Sequence, residues 1–412
     1  MRRVVITGLG TVNPLGADVK TSWPRMLRGE NGVGMIQHFE TTEQVVKIAA
    51  SVAWDARTMF AEPEFRKLDP FTMFALKAAQ EAFADAGIDP RTLPEAQRER
   101  YGSIIGTGIG GITGILQQYQ GLLERGPRRV SPHFVPKIMA NAVSGQVAIE
   151  YGLLGTAYTT TSACASSGHA IAMAMQAIRW DEADLIVTGG AESATTPLSL
   201  AGFASAKALS MRNDDPGAAS RPFDRDRDGF VMGEGAGILV FEEYENARRR
   251  GARMYAEVLG YGSTDDAYHI TAPREDGLGP ARAMSLALKM AGRAPEHIDY
   301  INAHGTSTKF NDAIETRAIK LVFGDHARKL AVSSTKSMIG HLLGASSGVE
   351  LVATALSVHQ GVVHPTRNYT TPDPDCDLDY VPREPRALAV RNALSNSLGF
   401  GGHNISICIG RV

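Results

Sequence analysis

Three residues in this sequence are candidates for nucleophilic chemistry: Cys164, His304 and His341. Cys164 ends the segment Tyr158-Thr-Thr-Thr-Ser-Ala-Cys164, where a β-branched run gives way to small and apolar residues that predict a buried helix. A thiol at the start of a helix faces the positive end of the helix dipole, which favours the thiolate and makes it a candidate covalent nucleophile. Most free cysteines are small buried apolar groups instead, and this segment alone does not separate the two interpretations.

The two histidines each follow a predicted strand and have glycine and hydroxyl residues as neighbours. His304 lies in Asn302-Ala-His-Gly-Thr-Ser-Thr308, and His341 lies in Lys336-Ser-Met-Ile-Gly-His-Leu-Leu-Gly344. Loops at the carboxyl ends of parallel strands are where α/β folds place their sites. One Cys and two His also match a zinc ligand set, but zinc ligands usually include a close pair, and these residues are far apart in sequence. The better hypothesis is a thiol nucleophile with two imidazole donors.

A glycine-rich segment near the C-terminus, Gly399-Phe400-Gly401-Gly402, separates two short strand-like runs. Such glycine density suits a loop that presents backbone N–H groups to a developing oxyanion. Phe400 is its one bulky side chain, suited to gating a pocket.

Strand-like and helix-like segments alternate along the whole chain, which argues for predominantly parallel sheets covered by helices. The tetrapeptide Ala165-Ser-Ser-Gly168 recurs as Ala345-Ser-Ser-Gly348, and each copy opens a predicted helix. We therefore expect two related halves, 1–252 and 253–412, fused into one body. The predicted strands are 3–8, 102–106, 184–188, 237–241, 256–260, 298–302, 330–333, 392–397 and 405–409, and the main predicted helices are 67–86, 114–125, 140–151, 279–292, 312–323 and 346–360.

Composition excludes several classes of function. The 412 residues are 43% hydrophobic and 21% charged with a net charge of −2, which gives no global argument for a nucleic-acid or membrane partner. Three cysteines are too few and too scattered for a disulfide framework. No apolar stretch approaches the roughly 20 residues of a membrane span, so we expect a cytoplasmic protein.

Two further motifs imitate ligand sites. Gly106-Thr-Gly-Ile-Gly-Gly111 matches the dinucleotide fingerprint, but the helix after it runs into a proline-rich loop, so we expect these glycines to allow close backbone contact instead. Asp224-Arg-Asp-Arg-Asp-Gly229 resembles half of a calcium loop, but Gly235 stands where the bidentate acid belongs. We interpret this second motif as an internally ion-paired turn.

Taken together, the motifs around Cys164, His304, Lys336, His341 and Gly399–Gly402 resemble those of the β-ketoacyl-acyl-carrier-protein synthases, and the type II (KAS II) enzymes of fatty-acid synthesis most closely. The segment from Arg221 to Gly237 is a further signature of that family. The resemblance implies an α/β thiolase fold, with two pseudo-symmetric βαβαβαββ halves in a five-layer α-β-α-β-α arrangement. It also implies a homodimer that condenses an acyl thioester with malonyl-acyl carrier protein.

The resemblance assigns roles by position. Cys164 would carry the acyl chain, His304 and His341 would support decarboxylation and stabilise the enolate, and Lys336 would supply positive charge. The N–H groups of Cys164 and Phe400 would form the oxyanion hole. The residues expected to hold substrate are Ile109, Phe203, Thr271, Thr306, Thr308, Glu350 and Gly401.

Because carrier proteins are acidic, we expect a basic collar around the entrance of the site. Its candidate residues are Arg66, Lys67, Arg128, Arg129 and Lys207. Losing CO₂ generates the carbanion, so no metal or redox cofactor is expected; phosphopantetheine arrives on the carrier. Lys309, Ile339 and His403 depart from the residues usual in the family, which leaves room for a polyketide-type or other specialised ketosynthase.

Three other functions compete with this interpretation. A non-catalytic chain-length-factor-like subunit would lack the nucleophile, whereas Cys164 is present. A thiolase would use a second cysteine in a C-terminal Cys-x-Gly; Cys408-Ile-Gly410 has that pattern but falls within a predicted strand, and His341 has no thiolase counterpart. A cysteine hydrolase would need an Asn or Asp orienting one His, and the two-His pattern fits it poorly.

Overall fold

The computed structural model describes residues 1–412, which form strands and helices joined by loops. The strands are β1 (Val4–Val12), β2 (Gly34–Met35), β3 (Ile48–Ala49), β4 (Tyr101–Gly106), β5 (Ala157–Thr160), β6 (Leu185–Glu192), β7 (Gly235–Glu243), β8 (Ala256–Asp265), β9 (Tyr300–Asn302), β10 (Ala331–Ser333), β11 (Val362–Val363), β12 (Arg386–Ala387), β13 (Asn392–Gly399) and β14 (His403–Gly410). The helices are α1 (Val19–Leu27), α2 (Glu62–Phe65), α3 (Pro70–Ala86), α4 (Glu95–Arg98), α5 (Ile112–Arg125), α6 (Phe134–Ile138), α7 (Ala142–Tyr151), α8 (Ser166–Arg179), α9 (Pro197–Ser205), α10 (Tyr244–Arg249), α11 (Leu278–Ala291), α12 (Lys309–Phe323), α13 (Lys336–Ile339) and α14 (Ser346–Gln360).

The strand order repeats, which is the duplication that the recurring tetrapeptide indicated. The order is β5-β4-β6-β7-β1 in the first five-stranded unit and β10-β9-β13-β14-β8 in the second. Counted along the chain, both are 3-2-4-5-1. A short antiparallel pairing of β1 with β8, Val5 with Glu257 and Ile6 with Ala256, joins the two units.

Each unit is mixed, so the prediction of predominantly parallel sheets is wrong. β4 pairs in parallel with β5 and β6, and β9 with β10 and β13. The last strand of each unit, β7 or β14, is antiparallel to both of its neighbours. The reason is clearest at β13 and β14: a loop of three residues joins them, and so short a connection can only make a hairpin.

Helices α8 and α14 lie between the two units and contact strands of both. Helices α3 and α7 cover the outer face of the first unit, and α11 covers the second. This is the expected five-layer arrangement. The largest apolar cluster contains Ile171 and Met175 of α8, Leu351 of α14 and Ile405 of β14, so it spans both halves, while a second cluster lies within the first half alone.

Most helix boundaries follow from local chemistry. The prediction for α3 began at residue 67, but the helix starts at Pro70, because proline suits the first helical turn, and it stops at Gly87, which adopts the left-handed φ of +68°. None of the helices is long and apolar enough to cross a lipid bilayer.

Candidate active site

Cys164 lies in the tight turn between β5 and α8, as the sequence predicted. Ala163, just before it, has a φ of +51°, an uncommon conformation for a residue with a side chain. The turn is held by the Ser162 N–H, which donates to Ser166 Oγ at 2.9 Å, and by the Ala165 N–H, which donates to the Ser162 carbonyl at 3.1 Å. This turn directs the thiol toward the second half of the molecule.

His341 meets the thiol from that second half. Its Nε2 lies 3.1 Å from Cys164 Sγ. The Leu343 N–H donates to His341 Nδ1 at 3.2 Å, and Ser346 Oγ lies 2.9 Å from the same nitrogen. Because Nδ1 accepts a backbone N–H, a neutral ring carries its proton on Nε2, which then donates toward the sulfur.

His304 lies beside His341, with ring centroids 5.3 Å apart. Its loop is fixed by Glu315 of α12, which accepts the N–H groups of His304 and Gly305 at 2.9 and 2.8 Å. Burial, reinforced by the charge of Lys336, holds the pKa of both histidines well below the ordinary value. Both imidazoles are therefore neutral hydrogen-bond donors at physiological pH.

Lys336 is buried behind the two histidines and forms an ion pair with Glu350, each side chain being 1% exposed. Burial raises the pKa of Glu350, and the Lys336 ammonium opposes that rise. The pair places one positive charge next to the imidazoles without opening the site to water.

The thiol itself differs from the expectation of a favoured thiolate. Burial raises the pKa of Cys164 to about 11, with a smaller contribution from the negative charge of Glu192. Lys336 and the backbone N–H groups of Phe400 and Cys164 oppose the rise without overcoming it. The helix dipole favours the thiolate, but the loss of water around the buried sulfur has the larger effect on the pKa.

These residues open into a cavity of about 500 Å³. Of the predicted residues, those that line it are Cys164, His304, His341, Phe400, Ile109, Phe203, Thr271, Thr306, Thr308 and Lys207. Glu350 does not line the cavity, because its carboxylate is paired with Lys336. Gly401 does not line it either, because its N–H points away and donates to the Ile270 carbonyl at 2.7 Å.

Sequence reasoning missed several lining residues. Phe230 stacks edge-on against His341 at 5.3 Å between centroids and against Phe203 at 5.4 Å. Leu343, Phe310, Asp266 and Asn404 also line the cavity. Phe230 lies inside the signature segment that follows Arg221, so the sequence could have indicated it as a site residue. Its contact with His341 depends on the fold.

The five residues of the expected basic collar are all exposed, and none of them forms an ion pair. Lys207 adopts a left-handed φ of +54° and lines the cavity directly. The other four residues, Arg66, Lys67, Arg128 and Arg129, do not line the cavity, so their place in a basic collar stays a prediction.

The residues that depart from the family pattern lie around the site rather than in it. The Lys309 carbonyl at the start of α12 accepts from Arg227 Nη2 at 2.8 Å, Ile339 is buried, and His403 Nδ1 lies 3.2 Å from Asp265 Oδ2. The calcium-like turn is ion-paired mostly to residues outside it, so the prediction of an internally paired turn holds only for Arg225–Asp226 at 3.4 Å. Asp224 pairs with Arg221 at 3.1 Å, and Arg227 pairs with Asp373 at 2.5 Å.

Comparison with known proteins agrees with this geometry. Residues 1–247 match the model for the β-ketoacyl synthase N-terminal domain, and residues 255–370 match that for the C-terminal domain. The chain is 50% identical over 407 residues to 3-oxoacyl-[acyl-carrier-protein] synthase 2 of Synechocystis sp., covering 98% of this chain and 97% of that protein.

Two solved structures extend the comparison. A β-ketoacyl synthase from Burkholderia phymatum superposes with a TM-score of 0.92 at 35% identity over 100% of both chains. A ketosynthase solved in complex with its type II polyketide-synthase acyl-carrier protein gives a TM-score of 0.91 at 36% identity, over 100% of this chain and 99% of the other. The chain belongs to the β-ketoacyl synthase family and has its thiolase fold.

Proposed function

We propose that this protein is a 3-oxoacyl-[acyl-carrier-protein] synthase, which elongates an acyl thioester by decarboxylative Claisen condensation with malonyl-acyl carrier protein. The observation that carries the proposal is the contact of Cys164 Sγ with the Nε2 of a neutral His341 at 3.1 Å, beside a neutral His304. A cysteine protease would need an imidazole that accepts the thiol proton, whereas this His341 presents an N–H to the sulfur.

The residues divide the reaction into two steps. The Cys164 sulfur attacks the acyl thioester, its proton passes to the departing carrier sulfur, which leaves as a thiol, and the N–H groups of Cys164 and Phe400 stabilise the oxyanion between these events. In the second step the imidazole N–H groups of His304 and His341 bind the malonyl thioester oxygen. The electrons of the breaking C–CO₂ bond enter the enolate, which then forms the new C–C bond as the Cys164 sulfur leaves.

No electron is gained or lost in this sequence, so the proposal needs no redox cofactor, and the imidazole N–H groups of His304 and His341 polarise the thioester oxygen without a Lewis-acid metal. The Lys336 charge adds to the field that stabilises the enolate in a pocket with little water. Thr306 and Thr308, whose hydroxyls lie 2.9 Å apart at the cavity wall, are suited to bind the amides of the phosphopantetheine arm.

An acidic acyl carrier protein is the proposed partner, supported by Lys207, an exposed unpaired cation that lines the cavity, and by the carrier protein bound to the structural relative. We also propose a homodimer. Edge strand β5 has no partner on one side and exposes Tyr158, and an unpaired edge with apolar side chains is suited to pairing with a second copy. All three cysteines are free, which fits a reducing cytoplasm.

A polyketide-type ketosynthase is the second candidate, favoured by the likeness to the type II polyketide ketosynthase. It uses the same chemistry on a different acyl chain. The solved polyketide ketosynthase is 36% identical to this chain, whereas the 3-oxoacyl-[acyl-carrier-protein] synthase 2 of Synechocystis sp. is 50% identical. Fatty-acid elongation is therefore the better proposal. A chain-length-factor-like subunit is disfavoured by the presence of Cys164.

The test is to mix the protein with acyl- and malonyl-acyl carrier protein and to measure CO₂ together with the 3-oxoacyl product. We expect both, and we expect an epoxide of the cerulenin type to label Cys164. Absence of product, CO₂ and label would rule the proposal out. CO₂ without condensation would favour the non-catalytic partner subunit.

A further inference from the structure

The glycine motif Gly106–Gly111 is not explained by the proposed reaction, although it has the form of a phosphate-binding loop. Its backbone N–H groups bind an internal anion instead. The carboxylate of Glu192, at the end of β6, accepts the N–H groups of Gly108, Ile109 and Gly110 at 2.7, 3.2 and 3.3 Å. The Thr107 hydroxyl donates to it at 3.0 Å. An arrangement that elsewhere binds phosphate here binds a side chain of the same protein.

The same carboxylate reaches the second half of the chain. Glu192 Oε2 accepts the Gly344 N–H at 3.1 Å, just before α14. The backbones meet so closely that a Cβ on Gly344 would lie 2.1 Å from the Gly108 nitrogen. Glu192 is 0% exposed and takes part in no ion pair, so its four backbone N–H groups and one hydroxyl are its whole stabilisation.

The geometry requires the ionised form of this carboxylate. Oε1 faces the N–H groups of Ile109 and Gly110, and Oε2 faces those of Gly108 and Gly344, so neither oxygen has room for a proton. Burial raises the pKa of Glu192, and these donors oppose the rise without cancelling it.

The residues held by Glu192 are next to the catalytic groups. Gly344 follows Leu343, which has a φ of +50° and whose N–H donates to His341 Nδ1. Ile109 lines the cavity beside Cys164. We propose that Glu192 is a positioning residue, an internal anion that binds the glycine loop of the first half to the Gly344 turn of the second and so keeps the Leu343 N–H on His341.

This role has an electrostatic signature. The groups whose charge acts on the Cys164 thiol are Lys336, which lowers its pKa, and Glu192, which raises it. The imidazoles of His304 and His341, which also face it, are neutral. Removing the Glu192 charge therefore makes the Cys164 thiol easier to ionise. The same change releases the turn that orients His341.

The test is Glu192→Gln, which keeps the size and removes the charge. We expect condensation to slow by about tenfold or more, since small displacements of an orienting group cost that much. We expect alkylation of Cys164 by iodoacetamide at pH 8 to become about threefold faster, which corresponds to a modest fall in the thiol pKa. A structural defect that exposed buried thiols would also speed alkylation, so the result counts for Glu192 only if the buried Cys376 and Cys408 stay unmodified in the same variant.

Glu81→Gln is the matched control, because Glu81 also accepts two backbone N–H groups, of Thr11 at 2.9 Å and Val19 at 2.7 Å, away from the cavity. We expect both of its rates within about twofold of wild type. Thr107→Val, which removes one donor and keeps the carboxylate, covers the case in which Glu192→Gln does not fold; condensation should slow by about threefold.

The proposal is overturned if Glu192→Gln condenses within about twofold of wild type, or if alkylation slows together with condensation. The proposal is also overturned if Thr107→Val condenses at the wild-type rate. The condensation readout rests on the proposed function, whereas alkylation does not. A wild-type protein that fails to condense therefore rejects the proposed function alone, and the alkylation rates still test Glu192.

Discussion

In the first half helix α8 begins two residues after Cys164, and in the second half helix α14 begins two residues after Gly344. Both helices follow the third strand of their unit and precede the fourth. Both are preceded by an alanine in the same conformation, Ala165 with a φ of −88° and Ala345 with a φ of −86°. The start of α8 and the start of α14 are therefore equivalent positions in the two halves.

The strained turn is repeated as well. Ala163 has a φ of +51° and Leu343 a φ of +50°. In the first half this turn presents a thiol to the cavity, whereas in the second it presents the N–H of Leu343 to His341. The strain therefore belongs to the duplicated scaffold, and the chemistry depends on the side chain that each copy carries.

The two copies also contact each other. The Gly348 N–H donates to Ser167 Oγ at 3.0 Å, and a Cβ on Gly168 would lie 3.2 Å from Ser347 Oγ. Small residues in both tetrapeptides let the starts of the two helices approach, which brings Cys164 and His341 together. Under the proposed function, the first half supplies the thiol that is acylated and the second half supplies the two imidazoles for decarboxylation, while the oxyanion hole takes one N–H group from each half.

The variant Cys164→Gln distinguishes most clearly between the proposed roles of the two halves. Without the sulfur no acyl-enzyme forms, so condensation should fall by about 10⁴-fold or more. The histidines and the Lys336–Glu350 pair are untouched, so malonyl-carrier decarboxylation should continue. The measurement is CO₂ release alongside 3-oxoacyl product. Loss of CO₂ release in a folded variant would show that the halves do not divide the reaction in this way.

The thiols of the two halves should respond differently to pH. Because burial raises the pKa of Cys164 to about 11, the thiolate is the minor form at neutral pH and grows as pH rises. We expect its alkylation to accelerate about tenfold per pH unit between about pH 7 and 10. Cys376 and Cys408, buried away from the cavity with pKa values raised to about 12, serve as internal controls and should stay unmodified. A rate already maximal at pH 8 would contradict the effect of burial.

The converse of the cysteine variant is to replace His304 or His341 by alanine. Each change removes one N–H donor from the enolate oxygen, so decarboxylation and condensation should fall by about 10²–10³-fold. For His304→Ala, single-turnover acylation of Cys164 should persist, because His304 does not contact the sulfur in this arrangement. Acylation that falls as far as decarboxylation would show that the second half also serves the first step.

Much of this division could be predicted from the sequence. The helix predicted at 346–360 is the observed α14, and the motifs around Cys164, His304 and His341 identified the three groups that meet. These predictions succeed because apolar periodicity and the types of reactive side chains can be read directly from the sequence.

The rest depends on the assembled fold. Glu192 and Glu315 bind backbone N–H groups, which every residue offers, so no pattern of side chains indicates them. The thiol pKa was predicted in the wrong direction because the dipole is local, whereas burial comes from both halves. The mixed sheet was missed because helix and strand alternation does not specify how the last strand of each unit returns.

The smallest expected effect concerns the surface, where the two halves also differ: all five residues of the basic collar belong to the first half. Reversing two of them in Arg128→Glu/Arg129→Glu should raise KM for the acyl carrier protein about tenfold at low salt and leave kcat nearly unchanged, because exposed charges act mainly on encounter. Lys289→Glu, an exposed unpaired residue of α11 in the second half, is the control and should not alter KM. An equal rise in both variants would mean that net charge governs docking, and the carrier would then have no preference for the half that bears the thiol.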